Sequence, residues 1–356
     1  MADIEIPGTI NDVTPEWLGD VLELELKGMQ VTQIGQGVGI MGDIYRVQPQ
    51  LVSGGATPSV VVKLPSSFEE NRAQGVALGM FAAEVRFYNE LAPRVPVGLP
   101  HVYCAAIEPG TANFVIVMED LCDLEMADQV VGMTQEQALA AVKVLAHVHA
   151  VWWDQAEDEA LTWIPSMTGP RIEFVDTLLN DLIEPFSQMF ADHLPPRGLE
   201  VYRGFAGNYL RINKVLAGRS PWTLVHQDFR VENMLFGPDS VKVIDWQGIG
   251  RGPGAYDLAY ILGGSMAPEL RRECERECVQ AYLDVLLAQG VDGYTFVQLW
   301  DDYGHAQLMG GLATSMVVGA GMDLNNERGK ALAITMASRH VTAALDHEGL
   351  ERLSDI

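Results

Sequence analysis

Three side chains in the second half of the chain have the types and spacing for phosphoryl transfer. They lie in Leu224-Val225-His226-Gln227-Asp228-Phe229-Arg230-Val231-Glu232-Asn233-Met234-Leu235-Phe236 and in the run Val243-Ile244-Asp245-Trp246-Gln247 that soon follows. Asp228 supplies a carboxylate for an attacking hydroxyl. Asn233, five positions on, and Asp245, at the end of an apolar strand, supply an amide oxygen and a carboxylate to hold Mg²⁺ against the phosphates. This chemistry asks for little covalent work from the protein; positioning and charge neutralisation do most of it. Asp and Asn are also common in turns for local hydrogen-bonding reasons, and a lone Asp–Asn spacing says no more than that. The His two residues ahead, the flanking apolar strands and the second Asp after a strand favour the chemical reading. His226 itself reads as a brace for the loop rather than as the base.

A catalytic loop of this kind works with a glycine-rich hairpin over the nucleotide phosphates, a strand Lys on the α/β-phosphates and a helix Glu pairing that Lys. The first half of the chain offers all three in order. Gly35, Gly37, Gly39 and Gly42 form a cluster between two strands, Lys63 ends the run Val60-Val61-Val62, and Glu84 lies on the next helix. Each also has a plainer reading. The glycines could form an ordinary hairpin, Lys63 could pack its stem and hold its head in solvent, and Glu84 could belong to a solvated face. The cluster is not a Walker A loop, since no Gly-Lys-Ser/Thr follows, and a strand rather than a helix after it disfavours a dinucleotide fingerprint. Arg72 and Arg86 are rival phosphate ligands.

The elements that must position these groups fall into two parts. Strands are expected over 30–34, 43–47, 59–64 and 114–118, with a helix over 81–91 whose stripe is Val85, Tyr88 and Leu91. Beyond residue 118 helices dominate. Thr134 and Gln137 form a capping box for a helix running to Trp152-Trp153, and further helical patterns cover roughly 172–192, 198–217, 267–289, 294–320 and 327–347. Short apolar runs from Trp222 to Ile249 interrupt them as a hairpin inset. The expected organisation is an α+β chain with a β-rich lobe over 1–118, a connector at 119–122 and a larger α-rich lobe over 123–356.

Bulk properties exclude several classes. Apolar residues make up 48% of the 356, which supports a sizeable core. A net charge of −25 disfavours nucleic acid and anionic membranes, which need Lys and Arg to displace counterions. Four cysteines without a paired pattern argue against a disulfide framework, and Cys274 and Cys278 lack the further ligands of a metal site. Met1-Ala2-Asp3-Ile4-Glu5 has neither a basic nor an apolar leader region. The apolar stretch from Leu308 to Met322 is below the roughly 18 residues needed to span a bilayer and reads as a buried helix. A soluble cytoplasmic protein is expected.

The motifs together resemble the aminoglycoside phosphotransferase/choline kinase-like superfamily, with a protein-kinase-like fold, and within it the ecdysteroid-kinase-like bacterial small-molecule kinases. The resemblance rests on Val60-Val61-Val62-Lys63, Glu84-Val85-Arg86-Phe87-Tyr88, Val117-Met118-Glu119-Asp120-Leu121, His226-Gln227-Asp228 with Asn233, Ile244-Asp245-Trp246-Gln247, and Gly252-Pro253-Gly254-Ala255-Tyr256-Asp257-Leu258-Ala259-Tyr260. It implies Asp228 as catalytic base, Asn233 and Asp245 as Mg²⁺ ligands, and Lys63 with Glu84 as the phosphate anchor. It further implies Glu119, Asp120 and Leu121 as a hinge whose backbone holds the adenine of ATP or another nucleoside triphosphate, and Asp257 as a structural carboxylate. Two departures stand out: Gln227 occupies a position where the superfamily commonly has Gly, and Trp-Gln rather than Phe-Gly follows Asp245. No activation segment ending in Ala-Pro-Glu is visible, which points to a small-molecule hydroxyl as acceptor.

Trp153, Trp246, Trp300, Asp301, Tyr303 and His305 are candidate acceptor-binding residues in that architecture, although core packing or a solvated helix face accounts for each as well. Aromatic faces suit a sugar or steroid-like body, acidic groups an aminoglycoside or choline-like amine, and the residues do not choose. A superfamily label does not establish antibiotic resistance. Two functions remain in view: an ATP- and Mg²⁺-dependent O-phosphotransferase, and a nucleotide-binding pseudokinase serving as a regulatory or scaffold module. Phosphate-ester hydrolysis by the same acidic cluster leaves the glycine hairpin and Lys63 without a role.

Overall fold

The computed structural model describes residues 5–35, 41–321 and 326–356. The chain divides into two compact units: Met1–Val95 with Leu99–Leu124 and Val243–Gly248, and Pro96–Gly98 with Glu125–Lys242 and Ile249–Ile356. The expected boundaries differ in one respect that matters below, since the segment carrying Asp245 belongs to the first unit.

The first unit is built on α1 (Pro15–Leu22), β1 (Leu26–Ile34), β2 (Gly42–Leu51), β3 (Val60–Pro65), α2 (Glu69–Ala77), α3 (Met80–Arg86), β4 (Val102–Ile107) and β5 (Phe114–Glu119). Its strands form one antiparallel sheet in the order β1-β2-β3-β5-β4. Strand alternation sorts β3 between two faces. Val60, Val62 and Leu64 join Val115 and Val117 of β5 and Leu18 of α1 in one core. Lys63 pairs in register with Ile116, so its side chain leaves on the opposite face. The expected helix over 81–91 is α3 followed by a π-helical turn, Phe87–Leu91. Phe81 and Val85 of α3 are buried, and Phe81 stacks on Phe114 at 4.7 Å between centroids.

The second unit comprises β6 (Glu125–Met126), α4 (Gln135–Val151), α5 (Pro170–Phe190), α6 (Gly198–Phe205), α7 (Tyr209–Ala217), β7 (Trp222–Val225), β8 (Met234–Phe236), β9 (Val241–Val243), β10 (Gly250–Pro253), α8 (Ala255–Ser265), α9 (Pro268–Ala288), α10 (Phe296–Ala306), α11 (Gly310–Gly321), α12 (Glu327–Asp346) and α13 (Gly349–Ser354). The last residue of β9, Val243, falls in the first unit. Thr134 caps α4 in the capping box read from its sequence. Two expected helices are each broken in two. The one over 198–217 breaks at Gly207, whose φ is +75°, and the one over 294–320 breaks between Ala306 and Gly310. Every residue of α8 is buried, which makes it a central helix of this unit. β7 pairs with β10 antiparallel, Val225 opposite Gly250. Among the described residues no helix is long and apolar enough to cross a membrane.

Candidate active site

In the first unit a buried cation gathers two carboxylates from distant parts of the chain. Lys63 Nζ donates to Glu84 Oε2 at 2.7 Å and to Asp245 Oδ1 at 3.0 Å. The Lys63 and Glu84 side chains are 10% and 1% exposed and that of Asp245 is 26% exposed, so Glu84 is closed to a ligand, while Lys63 keeps a small open surface and Asp245 a larger one. Burial works against the Lys63 charge, but Asp245 and Glu84 outweigh it and raise its pKa. Burial also pushes Glu84 upward, assisted by Asp245 and opposed by Lys63. Lys63 therefore stays charged at neutral pH and is aimed, not free to swing into solvent.

Packing fixes the third partner. Asp245 has a φ of +67°, a strained value for a residue with a side chain. Trp246 behind it is 1% exposed and stacks on Phe87 at 4.0 Å and an interplanar angle of 6°. The π-helical turn that begins at Phe87 thus receives the indole, and such turns recur at functional positions. Gln247 Nε2 donates to Asp245 Oδ2 at 3.2 Å. Gly42 is needed close by: a Cβ there would lie 2.9 Å from the Leu64 carbonyl oxygen and 3.4 Å from Lys63 Cε. Gly35 takes a φ of +70°. Gly37 and Gly39 lie outside the described residues.

Other expected residues of this unit have definite partners. Glu119 ends β5, and its Oε1 accepts from the His101 backbone N–H at 2.8 Å. Asp120 accepts from Arg46 Nε at 2.6 Å and from Ser59 Oγ at 2.5 Å. Burial raises the Asp120 pKa, but those bonds overcome it and hold the carboxyl below its usual range. Its side chain is thus a tie across the sheet. Leu121 is half-buried and its carbonyl accepts from Leu124 N–H. Of the rival cations, Arg72 donates to the Ser66 carbonyl at 2.9 Å, and Arg86 forms a two-bond pair with Glu90 at 2.6 and 2.9 Å.

In the second unit the loop after β7 is organised around two carboxylates. Asp228 Oδ1 accepts from the Tyr260 hydroxyl at 2.9 Å, and Oδ2 accepts from Asn233 Nδ2 at 2.9 Å, with Arg230 Nε at 3.4 Å. The Asp228 side chain is 36% exposed. Desolvation raises its pKa, but Arg230, His226, Tyr260 and Asn233 together bring it below the ordinary value, so it is ionised at neutral pH. Asn233 Nδ2 also donates to the Asp228 carbonyl at 2.8 Å. With its nitrogen committed twice, the amide is fixed with its oxygen on the other side.

Asp257, fully buried on α8, braces the loop from below. It accepts from the His226 and Gln227 backbone N–H groups at 2.6 and 3.0 Å and lies 3.3 Å from His149 Nε2. His226 is fully buried, and its Nδ1 accepts from the Asp228 backbone N–H at 3.3 Å. Asp257→Ala would leave two buried backbone donors and His149 without their acceptor. It is expected to lower stability by about 3 kcal/mol, which urea unfolding would measure; a loss near zero would show that the loop does not depend on this brace.

Sequence reasoning missed Tyr260 as a partner of the candidate base. The signal was present, since Asp257 and Tyr260 are three residues apart on α8 and share one helix face. The six candidate acceptor residues mostly have packing roles instead. Trp153 is buried against Tyr294 at 5.3 Å, and Trp246 is buried as described. Tyr303 is fully buried and donates to Glu275 at 2.9 Å. His305 is 4% exposed beside the Ile212 carbonyl, with burial holding its pKa down to about 4. These four have too little open surface to touch a ligand. Asp301 pairs with Arg219 at 2.7 Å and Arg352 at 2.9 Å, and Trp300 packs on Tyr303 and His347. Cys274 and Cys278 are buried thiols, the latter pushed up to about 12 by burial.

Among the described residues no cluster of three His, Cys, Asp or Glu side chains could hold a metal ion. Mg²⁺ does not need one: it takes one or two protein oxygens and completes its shell with water and phosphate. The partly exposed Asp245 carboxylate and the oriented Asn233 amide are donors of that hard-oxygen type.

Comparisons with known proteins bear on the fold and the family. No curated protein sequence matches the chain. Many solved structures share its fold, among them the following three. Choline kinase from Cryptosporidium parvum has a TM-score of 0.55 at 12% identity, covering 92% of this chain and 90% of that one. An ethanolamine kinase from Plasmodium vivax has a TM-score of 0.53 at 13% identity, covering 85% and 80%. A candidate aminoglycoside phosphotransferase from Ralstonia eutropha has a TM-score of 0.50 at 15% identity, covering 93% and 97%. The fold is therefore protein-kinase-like. The sequence model of the ecdysteroid kinase-like family matches residues 36–290. That span holds Lys63, Glu84, Asp228, Asn233 and Asp245 alike, and the chain belongs to the ecdysteroid kinase-like family.

Proposed function

We propose that this chain is an ATP- and Mg²⁺-dependent O-phosphotransferase that passes the terminal phosphate of the nucleotide to a hydroxyl of a small molecule. The observation that carries the reading is the buried Lys63 bonded at once to Glu84, 21 positions away, and to Asp245, 182 positions away. A core needs no such arrangement, because burying an ion pair beside a partly exposed third charge is costly and often no better than apolar packing. A phosphate site does need it.

The residues then divide the work. Glu84 holds Lys63, and Lys63 engages the nucleotide phosphates. Asp228 accepts the proton of the acceptor hydroxyl as the oxygen bonds to the terminal phosphorus and the bond from that phosphorus to the bridging oxygen breaks, leaving ADP. Tyr260 and Asn233 keep the Asp228 carboxylate in one orientation, which matters more than its basicity in a loose transition state. When bound, Mg²⁺ neutralises charge building on the phosphate oxygens, and Asn233 and Asp245 would hold it. Proteins of similar fold are named as choline, ethanolamine and aminoglycoside kinases; amino alcohols, sugars, aminoglycosides and steroid-like alcohols are accordingly the acceptor classes to test.

The test is a screen of those four classes for acceptor-dependent ADP release with Mg-ATP, repeated with EDTA and with Asp228→Asn. At least one acceptor should stimulate release, and both controls should remove the stimulation. A chain that binds Mg-ATP but is stimulated by no acceptor, with basal turnover indifferent to Asp228→Asn, would instead be the non-catalytic nucleotide-binding module.

A further inference from the structure

Gln227, the residue immediately before Asp228, has a φ of +69°. That left-handed value crowds a Cβ against the backbone and favours glycine, yet the residue carries a long side chain. The side chain is gripped. Its amide oxygen accepts a short hydrogen bond from the Arg171 guanidinium, in the first turn of α5. The same Arg171 nitrogen lies 3.4 Å from the Ile249 carbonyl. The Gln227 amide nitrogen lies against Gly250, where a Cβ would overlap it. Gly250 is the first residue of β10 and sits opposite Val225, two residues ahead of Gln227. Three elements thus fit one side chain: α5 supplies the donor, β10 supplies the space, and the loop supplies the amide.

We infer that Arg171 is a positioning residue for Asp228, locking the Gln227 amide so that the loop keeps the left-handed turn that sets the direction of the next side chain. Asp257 restrains the backbone N–H groups of the same turn but does nothing to relieve the φ that a side chain resists. Arg171 supplies the compensation, and Gly250 is glycine so that the amide can be seated. The lock is a statement about the loop; its effect on turnover rests on the proposed role of Asp228.

The decisive comparison is a double-mutant cycle in the full chain with two readouts. One is hydrogen exchange of the segment 224–235. The other is basal Mg-ATP hydrolysis, with water as acceptor, followed by ADP release. Arg171→Ala should speed exchange in the segment and slow hydrolysis, each by about tenfold, without changing the KM for Mg-ATP. In the Gln227→Gly background, where glycine takes the turn without strain, Arg171→Ala should have no further effect on either readout. If Arg171→Ala does not fold, Arg171→Lys, which keeps the charge but loses the forked donor, replaces it in the same cycle. Unchanged exchange in Arg171→Ala would overturn the inference. So would a loss that persists undiminished in the double variant, since a general scaffold residue or a direct ligand of substrate would not be rescued by glycine at 227. If the exchange pattern holds while the hydrolysis rate does not follow it, the lock stands and the assignment of Asp228 as catalytic base falls.

Discussion

Asp228→Asn is expected to lower acceptor-dependent phosphotransfer by about 10²- to 10⁴-fold, the usual contribution of a positioned general base. The substitution preserves shape and removes one charge. Tyr260 and Asn233 both donate to the carboxylate, and a neutral amide can satisfy only one of them without rearrangement. Tyr260 can turn its hydroxyl to accept instead, so the stability cost is about 1 kcal/mol. The KM for Mg-ATP should hardly move, because Lys63 and Glu84 are untouched. Steady-state ADP release and urea unfolding measure the two quantities. A variant that retains full turnover would remove Asp228 from the chemistry, whatever its hydrogen bonds.

Lys63→Met should fail in two separable ways. Nucleotide affinity should fall because the phosphate-engaging cation is gone. Stability should fall by about 3–5 kcal/mol, because Glu84 is left buried, at 1% exposure, without its counter-charge. Its pKa, already raised by burial and held back only by Lys63, then rises further. A folded-state carboxyl pKa above the unfolded value means that the native state binds more protons. The variant should therefore lose stability as pH rises through the window from the ordinary Glu value to the raised one, and regain it below. Adding Glu84→Gln should recover most of the stability and flatten that pH dependence without restoring Mg-ATP binding. Unfolding curves across pH and nucleotide titration separate the two losses. A single variant as stable as the parent at all pH values would show that Glu84 is not dependent on Lys63.

The parts of this molecule that could be read from sequence are those where local chemistry and burial pattern coincide. β3 and β5 read as strands because β-branched runs buried on both faces have few other solutions. Lys63 and Glu84 could be paired in advance because a glycine cluster, a strand Lys and a helix Glu follow one another in the order that a phosphate anchor requires. The missed elements lack such a signal. α8 is buried on every side, so it shows no stripe of apolar residues against polar ones. β4 mixes Ala and Cys with a half-exposed Tyr103 and carries little strand character. The break at Gly207, where φ is +75°, carried a glycine stop signal that the apolar periodicity on either side masked. Four of the candidate acceptor residues, Trp153, Trp246, Tyr303 and His305, are buried for a related reason: composition marks Trp, Tyr and His as useful in a pocket, but the same side chains fill a core, and only packing distinguishes the two uses. Gln227 is the reverse case, a departure visible in sequence whose meaning required the backbone angle and Arg171.

The stacking of Trp246 on Phe87 has a consequence for how the chain can be divided. The first unit is discontinuous: six residues, Val243–Gly248, are contributed by a stretch of chain whose sequence neighbours on both sides belong to the other unit. A fragment ending at Leu124 would lack the indole that covers Phe87 and the carboxylate that shares Lys63 with Glu84. It would present an open apolar face and a buried ammonium short of one of its two acceptors. Cutting the gene at the apparent connector therefore does not release a self-sufficient module, and grafting this β-sheet onto another partner would require carrying the hexapeptide with it.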